Sequence, residues 1–327
     1  MADLISLFPK NSTENMPMNK QSMYGKQVQL LVQALPIVFN ESCFALKGGT
    51  AINLFVRDLP RLSVDIDLVY LPSEDRDTAL KHIKEALSRI HDKLLETLPD
   101  LSIHKSFDDK SDALRLVVSK GDVRIKIELS PVLRGTVFEP EVCEVTEHVE
   151  DQFGYVSVPL VSLADLYGGK ICAALDRQHP RDLFDVKLLM ENEGMTEDIR
   201  KAMLVYMMSH PRPISELIAP HFQNIRSIYE HEFVGMSRET VSLAELESTR
   251  KALVAQISRD LTADEKAFLI SFKMGKPDWS LLGLLGVEQL PAVRWKLLNL
   301  NKMNPDKRNR AVEKLKQALN MGDEGIG

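Results

Sequence analysis

Asp65 and Asp67 are the two residues whose spacing first suggests chemistry. They alternate with Ile66 and Leu68, which predicts a half-buried strand with both carboxylates on one face and both apolar side chains in the core. Two adjacent carboxylates repel each other, and a divalent cation relieves that repulsion. Mg²⁺ prefers oxygen ligands and is commonly bound together with substrate phosphates. Taken alone, this D-x-D spacing is more typical of a solvated edge strand whose acids face water.

A glycine-rich turn precedes the strand. Gly48, Gly49 and Thr50 follow a short apolar segment at 44–47 and open a predicted helix, in which Thr50 is a suitable N-cap residue. Glycines allow the backbone to approach a phosphate closely, and a helix N-terminus favours negative charge. The turn is therefore a candidate phosphate-binding element, although an ordinary helix entry could have the same sequence.

A predicted hairpin contributes a third carboxylate. Strands at 114–118 and 123–129 flank a turn-forming segment at 119–122. On the second strand, Glu128 shares a face with Lys126, so it can join the two aspartates in one cluster on a sheet face. Glu128 would then be the base for an attacking hydroxyl or a ligand in a two-metal site. The alternative is a surface strand of mixed charge.

A later helix carries a lysine after two glycines. Gly168 and Gly169 lie inside the predicted helix at 162–175, where together they would cost about 2 kcal/mol relative to alanine. A close approach of this helix to the sheet or to a ligand would explain that cost. Lys170 would then lie near the acidic residues and contact a phosphate.

The next predicted helix begins with two aspartates. Asp182 and Asp185 are three residues apart and therefore share one helix face. They would either take part in the site, or complement the helix dipole and pair locally with Arg181 or Lys187.

The elements that must position these residues form a predicted α+β fold. Residues 1–190 alternate between strand and helix patterns, which indicates a mixed sheet with flanking helices, whereas residues 191–327 show only helical periodicity. We therefore predict a catalytic domain at 1–190, with an irregular start at 1–20, and an all-helical C-terminal domain at 191–327. Further predictions are a helix at 22–40 that Pro36 would bend or end, a helix at 77–98, and helix starts at Ser242, Thr262 and Asn304.

The composition limits the class of protein. The chain has 327 residues and a net charge of −6, so no general basic field indicates nucleic-acid binding. Its three cysteines are odd in number and not closely spaced, which favours buried packing over disulfides or a zinc site. There is no signal-peptide pattern and no run of about 18 apolar residues, so we expect a cytoplasmic protein that does not enter a membrane.

One local stretch departs from the acidic balance. Residues 291–317 contain eight Lys or Arg against Asp306 and Glu313. Such a stretch is either a surface that binds nucleic-acid phosphates or the exposed face of an amphipathic helix.

Four of these segments, in order, resemble a known family. The segment 47–51, followed by 61–68 with its D-x-D strand, resembles the signature of AbiEii/MenT-type nucleotidyltransferase toxins, within the polymerase-β-like nucleotidyltransferase superfamily. The segments 165–170 and 181–185 resemble the two later motifs of that family. The motifs cover about residues 22–190, and the helical tail is similar only in character.

Two departures from the family pattern matter. Many members have serine where Thr50 stands, so phosphorylation of this hydroxyl by an antitoxin does not follow from the resemblance. The interval from Thr50 to Asp65 is slightly longer than usual, which suggests a small inserted turn at 57–60.

The resemblance implies a set of site residues, with Mg²⁺ or Mn²⁺ as cofactor and an NTP as substrate. The metal ligands would be Asp65, Asp67 and Glu128. The other catalytic residues would be Lys170, which would meet the triphosphate, and Asp182 or Asp185 as the later family aspartate. The nucleotide-binding residues would be Lys47, Gly48, Gly49, Thr50, Arg61, Ser63, Lys126 and Lys170.

The activity implied by the resemblance is that of a toxin in a toxin–antitoxin system used in phage defence. The protein would be a monomer that transfers nucleotides from an NTP to the 3′ end of tRNA and so blocks translation, held in check by an antitoxin encoded nearby. Alternatives are nucleotidylation of a small molecule or protein, and a non-catalytic nucleotide-binding pseudoenzyme. The intact acidic triad disfavours the pseudoenzyme, because an unused cluster of like charges is costly. The basic stretch favours a polyanionic acceptor, while the NTP and the tRNA stay open.

Overall fold

Two compact units make up the protein. The computed structural model describes residues 20–321, so the irregular start predicted for 1–20 lies outside the described residues except for Lys20. The first unit, here the sheet unit, contains the chain up to Ser162 together with Glu232–Val241. The second, here the helical unit, contains Leu163–His231 and the chain from Ser242 onward. The predicted α+β fold class is confirmed.

One mixed sheet forms the core of the sheet unit. In chain order its strands are β1 Phe44–Lys47, β2 Asp65–Tyr70, β3 Leu101–Lys105, β4 Arg115–Lys120, β5 Val123–Leu129, β6 Glu141–Glu144 and β7 Ser157–Leu160. Their order in space is β3-β4-β5-β2-β1-β7-β6. β2 runs parallel to β5 and antiparallel to β1, and β4 and β5 form the predicted hairpin. The D-x-D strand is therefore an interior strand, which excludes the alternative of a solvated edge.

Two long helices cover part of this sheet. The helices of the sheet unit are α1 Met23–Val38, α2 Gly48–Ala51 with a π-helical continuation Ile52–Val56, α3 Arg76–Thr97, α4 Ser106–Asp109 and α5 Glu147–Phe153. Ser22 caps α1 by accepting a hydrogen bond from the amide of Gly25, and Pro36 lies within α1 without ending it. α1 packs on β5, and α3 packs on β3 and β4. The apolar side chains of the hairpin are thereby buried, and its polar ones stay partly exposed.

A segment from late in the chain returns to the sheet unit. Ser237 forms a β-bridge with Arg61, and the amide of Leu62 donates to the carbonyl of Met236 at 2.7 Å. The amide of Arg238 also donates to the carbonyl of Pro60 at 2.8 Å. This segment therefore fixes the chain directly after the inserted turn that the sequence analysis expected.

The helical unit contains helices and loops but no strand within its described residues. Its helices are α6 Leu163–Arg177, α7 Pro180–Glu191, α8 Glu197–Ser209, α9 Ile214–Ile218, α10 Arg226–Glu232, α11 Leu243–Asp260, α12 Ala263–Lys273, α13 Pro291–Asn301 and α14 Pro305–Ala318. The predicted helix starts are confirmed, because Ser242 and Thr262 head capping boxes and Asn304 caps α14. Only the last residue of α10 belongs to the sheet unit.

The first helix of this unit, α6, packs closely on α8. A Cβ atom at Gly168 would lie 2.8 Å from the backbone nitrogen of Met203 and 2.9 Å from the Cβ of Ala202. Gly168 therefore allows the close contact between α6 and α8. The prediction that this glycine allows α6 to approach the sheet or a ligand is wrong. Because α6 also packs on α7, and α7 on α11, the division between the units falls after Ser162. The sequence pattern indicates a division after residue 190 instead.

The helices and the cysteines bear on two general predictions from the sequence, on membrane insertion and on cysteine burial. Every helix among residues 20–321 is too short or too polar to span a lipid bilayer. The three cysteines are free, and only Cys172 is buried, whereas Cys43 and Cys143 are partly exposed. Buried packing therefore explains one cysteine, not all three.

Candidate active site

The three acidic residues predicted as metal ligands lie on two neighbouring strands. In the parallel pair of β2 and β5, Asp67 is opposite Glu128 and Asp65 is opposite Lys126. Ile66 on the other face of β2 is completely buried, whereas the three carboxylate residues are partly exposed. Asp65, Asp67 and Glu128 thus share one sheet face, and we refer to them as the acidic cluster.

Basic side chains accompany two members of the acidic cluster. Arg115 lies opposite Glu128 in the antiparallel pair of β4 and β5, and its Nε is 2.5 Å from Oε2 of Glu128. Nζ of Lys126 is 3.8 Å from Oδ2 of Asp65. Within residues 20–321, no three carboxylate, imidazole or thiol groups converge on a point that could hold a metal ion. A divalent cation would therefore have to compete with these basic side chains for the carboxylates.

Arg115 is a neighbour that the sequence analysis missed. A two-residue turn at Gly121 and Asp122 sets the hairpin register that places Arg115 opposite Glu128. The φ of Gly121 is +57°, as a tight hairpin turn requires. If the two-residue turn is located at Gly121 and Asp122 within the segment 119–122, the hairpin register follows from the sequence. That register predicts that Arg115 lies opposite Glu128.

The glycine turn approaches the acidic cluster directly. α2 begins at Gly48 with Lys47 as its N-cap residue, so the prediction of Thr50 as N-cap is wrong. Gly48 has a φ of +80°, and a Cβ atom there would overlap Oδ2 of Asp67. Only glycine allows this backbone to lie against that carboxylate.

Thr50 and Gly49 join this turn to the chain before β2. The hydroxyl of Thr50 is buried and donates to the backbone carbonyl of Asp65 at 2.6 Å. A Cβ atom at Gly49 would lie 2.6 Å from Oγ of Ser63 and 2.7 Å from Nη2 of Arg61. The turn is therefore held rigidly by Thr50 and lined by two of the predicted nucleotide-binding residues.

A buried tyrosine supports the segment that carries Arg61 and Ser63. The hydroxyl of Tyr24 donates to the carbonyl of Arg61 at 3.3 Å and accepts from the amide of Ser63 at 3.2 Å. Burial raises the pKa of Tyr24 to about 12, so its hydroxyl stays protonated and keeps donating. Tyr24 was not singled out in the sequence, because nothing local distinguishes it from a core aromatic residue of α1.

The other predicted catalytic residues form a cluster within the helical unit. Nζ of Lys170 lies 3.0 Å from Oδ1 of Asp182 and 3.0 Å from Oδ2 of Asp185, and all three residues are buried. Nε of Arg177 is 2.5 Å from the second oxygen of Asp182. We call Lys170, Arg177, Asp182 and Asp185 the buried ion cluster. The local pairing expected with Lys187 is corrected, because Lys187 binds Glu191.

Opposing forces act on Asp182. Burial alone would raise the pKa of its carboxyl, but the charge of Lys170 and the hydrogen bond from Arg177 outweigh burial and hold the pKa well below its usual range. Asp182 is therefore ionised at any physiological pH. A buried carboxylate of this kind is stable only while its cationic partners remain.

Comparisons with known proteins show to which family the chain belongs. No curated protein sequence matches the chain significantly. MenT4, a nucleotidyltransferase toxin from Mycobacterium tuberculosis H37Rv, has a similar fold, with a TM-score of 0.55 and 15% identity over 90% of this chain and 91% of that one. A family model described as the nucleotidyl transferase AbiEii toxin of type IV toxin–antitoxin systems matches residues 29–299. The chain therefore belongs to the AbiEii family of nucleotidyltransferase toxins.

Proposed function

We propose that this toxin transfers a nucleotide from an NTP to the 3′ end of tRNA, with a divalent cation at the acidic cluster, and that an antitoxin keeps it in check. The observation that carries the proposal is the contact of the glycine turn with Asp67, beside Glu128 on the next strand. Phosphoryl transfer needs such a pairing of a phosphate-binding backbone with carboxylates that hold a cation.

The donor set fits a hard cation. Asp65, Asp67 and Glu128 offer only carboxylate oxygens, the ligands that Mg²⁺ and Mn²⁺ accept. A cation bound there would neutralise charge on the transferred phosphate. The amides of the glycine turn and the ammonium of Lys47 would orient the triphosphate. A carboxylate of the acidic cluster that is not occupied as a ligand would accept the proton of the attacking hydroxyl.

The cations beside the acidic cluster have a second role in this proposal. Arg115 and Lys126 are 46% and 42% exposed, so both can move without unfolding the sheet. When the carboxylates turn towards a divalent cation, both basic side chains become available to bind phosphate oxygens. The buried ion cluster, by contrast, encloses Lys170 between two aspartates, which indicates that it holds α6 and α7 together.

The acceptor is proposed to be RNA because basic residues are exposed on the last two helices. Arg294 is exposed on α13, Lys302 is exposed directly after it, and Lys307, Arg310 and Lys314 are exposed on α14. Such a surface suits a polyanion better than a small molecule.

A labelled-nucleotide assay tests the function. The purified protein would be incubated with each of the four α-³²P-labelled NTPs and total tRNA, with and without EDTA. We expect label on tRNA with at least one NTP and none with EDTA. Label on the protein itself would replace the tRNA acceptor by that alternative, and no transfer at all would favour a small-molecule acceptor or the nucleotide-binding pseudoenzyme.

We expect Gly48→Ala to lower nucleotide transfer by about 10²-fold, because the added methyl group would displace the Asp67 carboxylate. Gly121→Ala is the matched control, since Gly121 also has a positive φ but has no atom within 4 Å of the added Cβ. Backbone strain should cost each variant about 1 kcal/mol of unfolding free energy. Equal loss of transfer in the two variants would show that strain, not contact with Asp67, limits activity.

Arg115→Ala should tighten Mn²⁺ binding by about two- to fivefold, because it removes a cation that competes for Glu128. Titration followed by electron paramagnetic resonance measures the affinity. Lys81→Ala is the control, because it removes the same charge from an exposed pair with Glu85 on α3. If both variants bind Mn²⁺ equally well, Arg115 does not compete with the metal.

A further inference from the structure

One face of α13 is exposed although the helix itself is well anchored. Trp295 and Leu298 are 59% and 54% exposed, whereas Ala292, Val293 and Leu300 on the other side are buried. Trp295 and Leu298 are three residues apart and therefore adjacent on the helix surface. A rigid helix that presents a large aromatic side chain to solvent is typical of an interaction site.

The other tryptophan of the chain shows the contrast. Trp279 packs against Phe268 and Phe272, with ring centroids 5.4 Å and 6.3 Å apart. Trp295 has no comparable aromatic neighbour among the described residues. The indole of Trp279 therefore packs within the fold, whereas the indole of Trp295 is available to bind a ligand.

The sequence around Trp295 is positively charged. Residues 289–305 contain no Asp or Glu. Arg294 precedes Trp295, Lys302 lies one turn beyond Leu298, and both are exposed. Among residues 20–321, neither has a carboxylate within ion-pair distance, in contrast to Lys316, which pairs with Glu313.

A second row of cations follows on α14. Lys307, Arg310 and Lys314 are spaced by three and four residues, so they share one exposed helix face. Arg308 of the same helix and Asn301 at the end of α13 both approach Gly275, at 3.5 Å and 2.6 Å from the position of its missing Cβ. The end of α13 and the start of α14 therefore both lie close to the turn at Gly275.

We propose that the exposed face of α13, formed by Arg294, Trp295, Leu298 and Lys302, binds single-stranded RNA. Trp295 would stack on an unpaired base, and Arg294 and Lys302 would contact the adjacent phosphates. A protein partner would also use an exposed aromatic residue, but the absence of Asp and Glu from residues 289–305 and the two exposed cations Arg294 and Lys302 favour a polyanion. The proposal rests on the proposed function in taking RNA as the acceptor, and it adds the site and the contact by which RNA is bound.

Tryptophan fluorescence tests the proposal without NTP or metal, so its outcome does not depend on transfer activity. The probe is an oligouridylate of about 12 nucleotides, a length suited to one binding surface. We expect it to quench the fluorescence of the wild type, with an affinity that falls steeply with salt. Trp295→Leu should lose most of the quenching and about 5- to 100-fold in affinity, measured by anisotropy of the labelled oligonucleotide. Trp295→Phe should retain most of the affinity, because a ring remains.

Several outcomes would overturn the proposal. One is unchanged affinity in Trp295→Leu, and another is equal affinity for a duplex of the same length, in which no base is free to stack. A single-stranded DNA arm with equal affinity would show that the face does not select RNA. If Trp295→Leu keeps its RNA affinity but no longer binds the purified antitoxin, the face serves a protein partner. Transfer to tRNA could persist in each of these cases, so the proposed function would stand while this proposal fell.

Discussion

Asp67→Asn is expected to reduce nucleotide transfer by at least about 10³-fold, the effect of losing several kcal/mol of stabilisation at the transferred phosphate. Asp67 lies where the glycine turn and β5 meet the D-x-D strand, so its carboxylate is shared by both halves of the proposed site. The substitution preserves size, and the residue is only partly buried, so the fold should persist. Growth inhibition on expression should disappear together with transfer of label.

The matched control for this prediction is Asp122→Asn, which removes the same charge from the exposed turn of the hairpin. It should keep wild-type activity. Mn²⁺ titration provides a readout independent of turnover, because only the Asp67 variant should bind the ion more weakly. Wild-type transfer by Asp67→Asn would exclude the acidic cluster as the metal site.

Lys170→Met should destabilise the protein by about 3–5 kcal/mol, the range found when one partner of a buried ion pair is removed. Asp182 and Asp185 would remain buried, with Arg177 as the cation that still contacts Asp182. Urea denaturation measures the free energy of unfolding. Lys187→Met is the control, because it breaks a partly exposed pair with Glu191 and should cost only about 0–1 kcal/mol.

The pH dependence of the two proteins should differ in a defined direction. In the wild type the depressed pKa of Asp182 contributes stability above the ordinary carboxyl pKa, and this stability is lost as the pH falls through the depressed value. In Lys170→Met, fewer positive charges oppose the effect of burial, so the pKa of Asp182 should be less depressed than in the wild type. The loss of stability relative to the wild type should therefore be largest near pH 7 and shrink in acid. A variant with full stability but weaker NTP binding would instead place Lys170 on the triphosphate.

Much of the acidic cluster could be predicted from local alternation. The spacing of Asp65 and Asp67, and of Lys126 and Glu128, determines which side chains share a face of each strand. Nothing in that spacing shows that β2 and β5 are neighbours, because they are more than 50 residues apart and pair in parallel. The resemblance to the family supplied that information.

Other features were inaccessible because tertiary contacts decide them. Thr50 is a good N-cap by residue type, but the left-handed backbone of Gly48 starts the helix earlier and frees the hydroxyl to bind the Asp65 carbonyl. The glycine at 168 correctly indicated a close approach, yet only the fold shows that its partner is α8. The segment 232–241 has no periodicity that would assign it to the sheet unit.

A premature stop codon before Glu232 would remove from the sheet unit the segment that bridges Arg61 through Ser237. A polypeptide ending near residue 190 would retain the whole acidic cluster but would lack this support for the chain that enters β2. Nonsense mutations that inactivate such a toxin should therefore also occur beyond the last recognisable motif, between residue 190 and Glu232. An N-terminal fragment is likewise the wrong design for isolating the catalytic half, because it would need 232–241 supplied in trans or through an engineered linker.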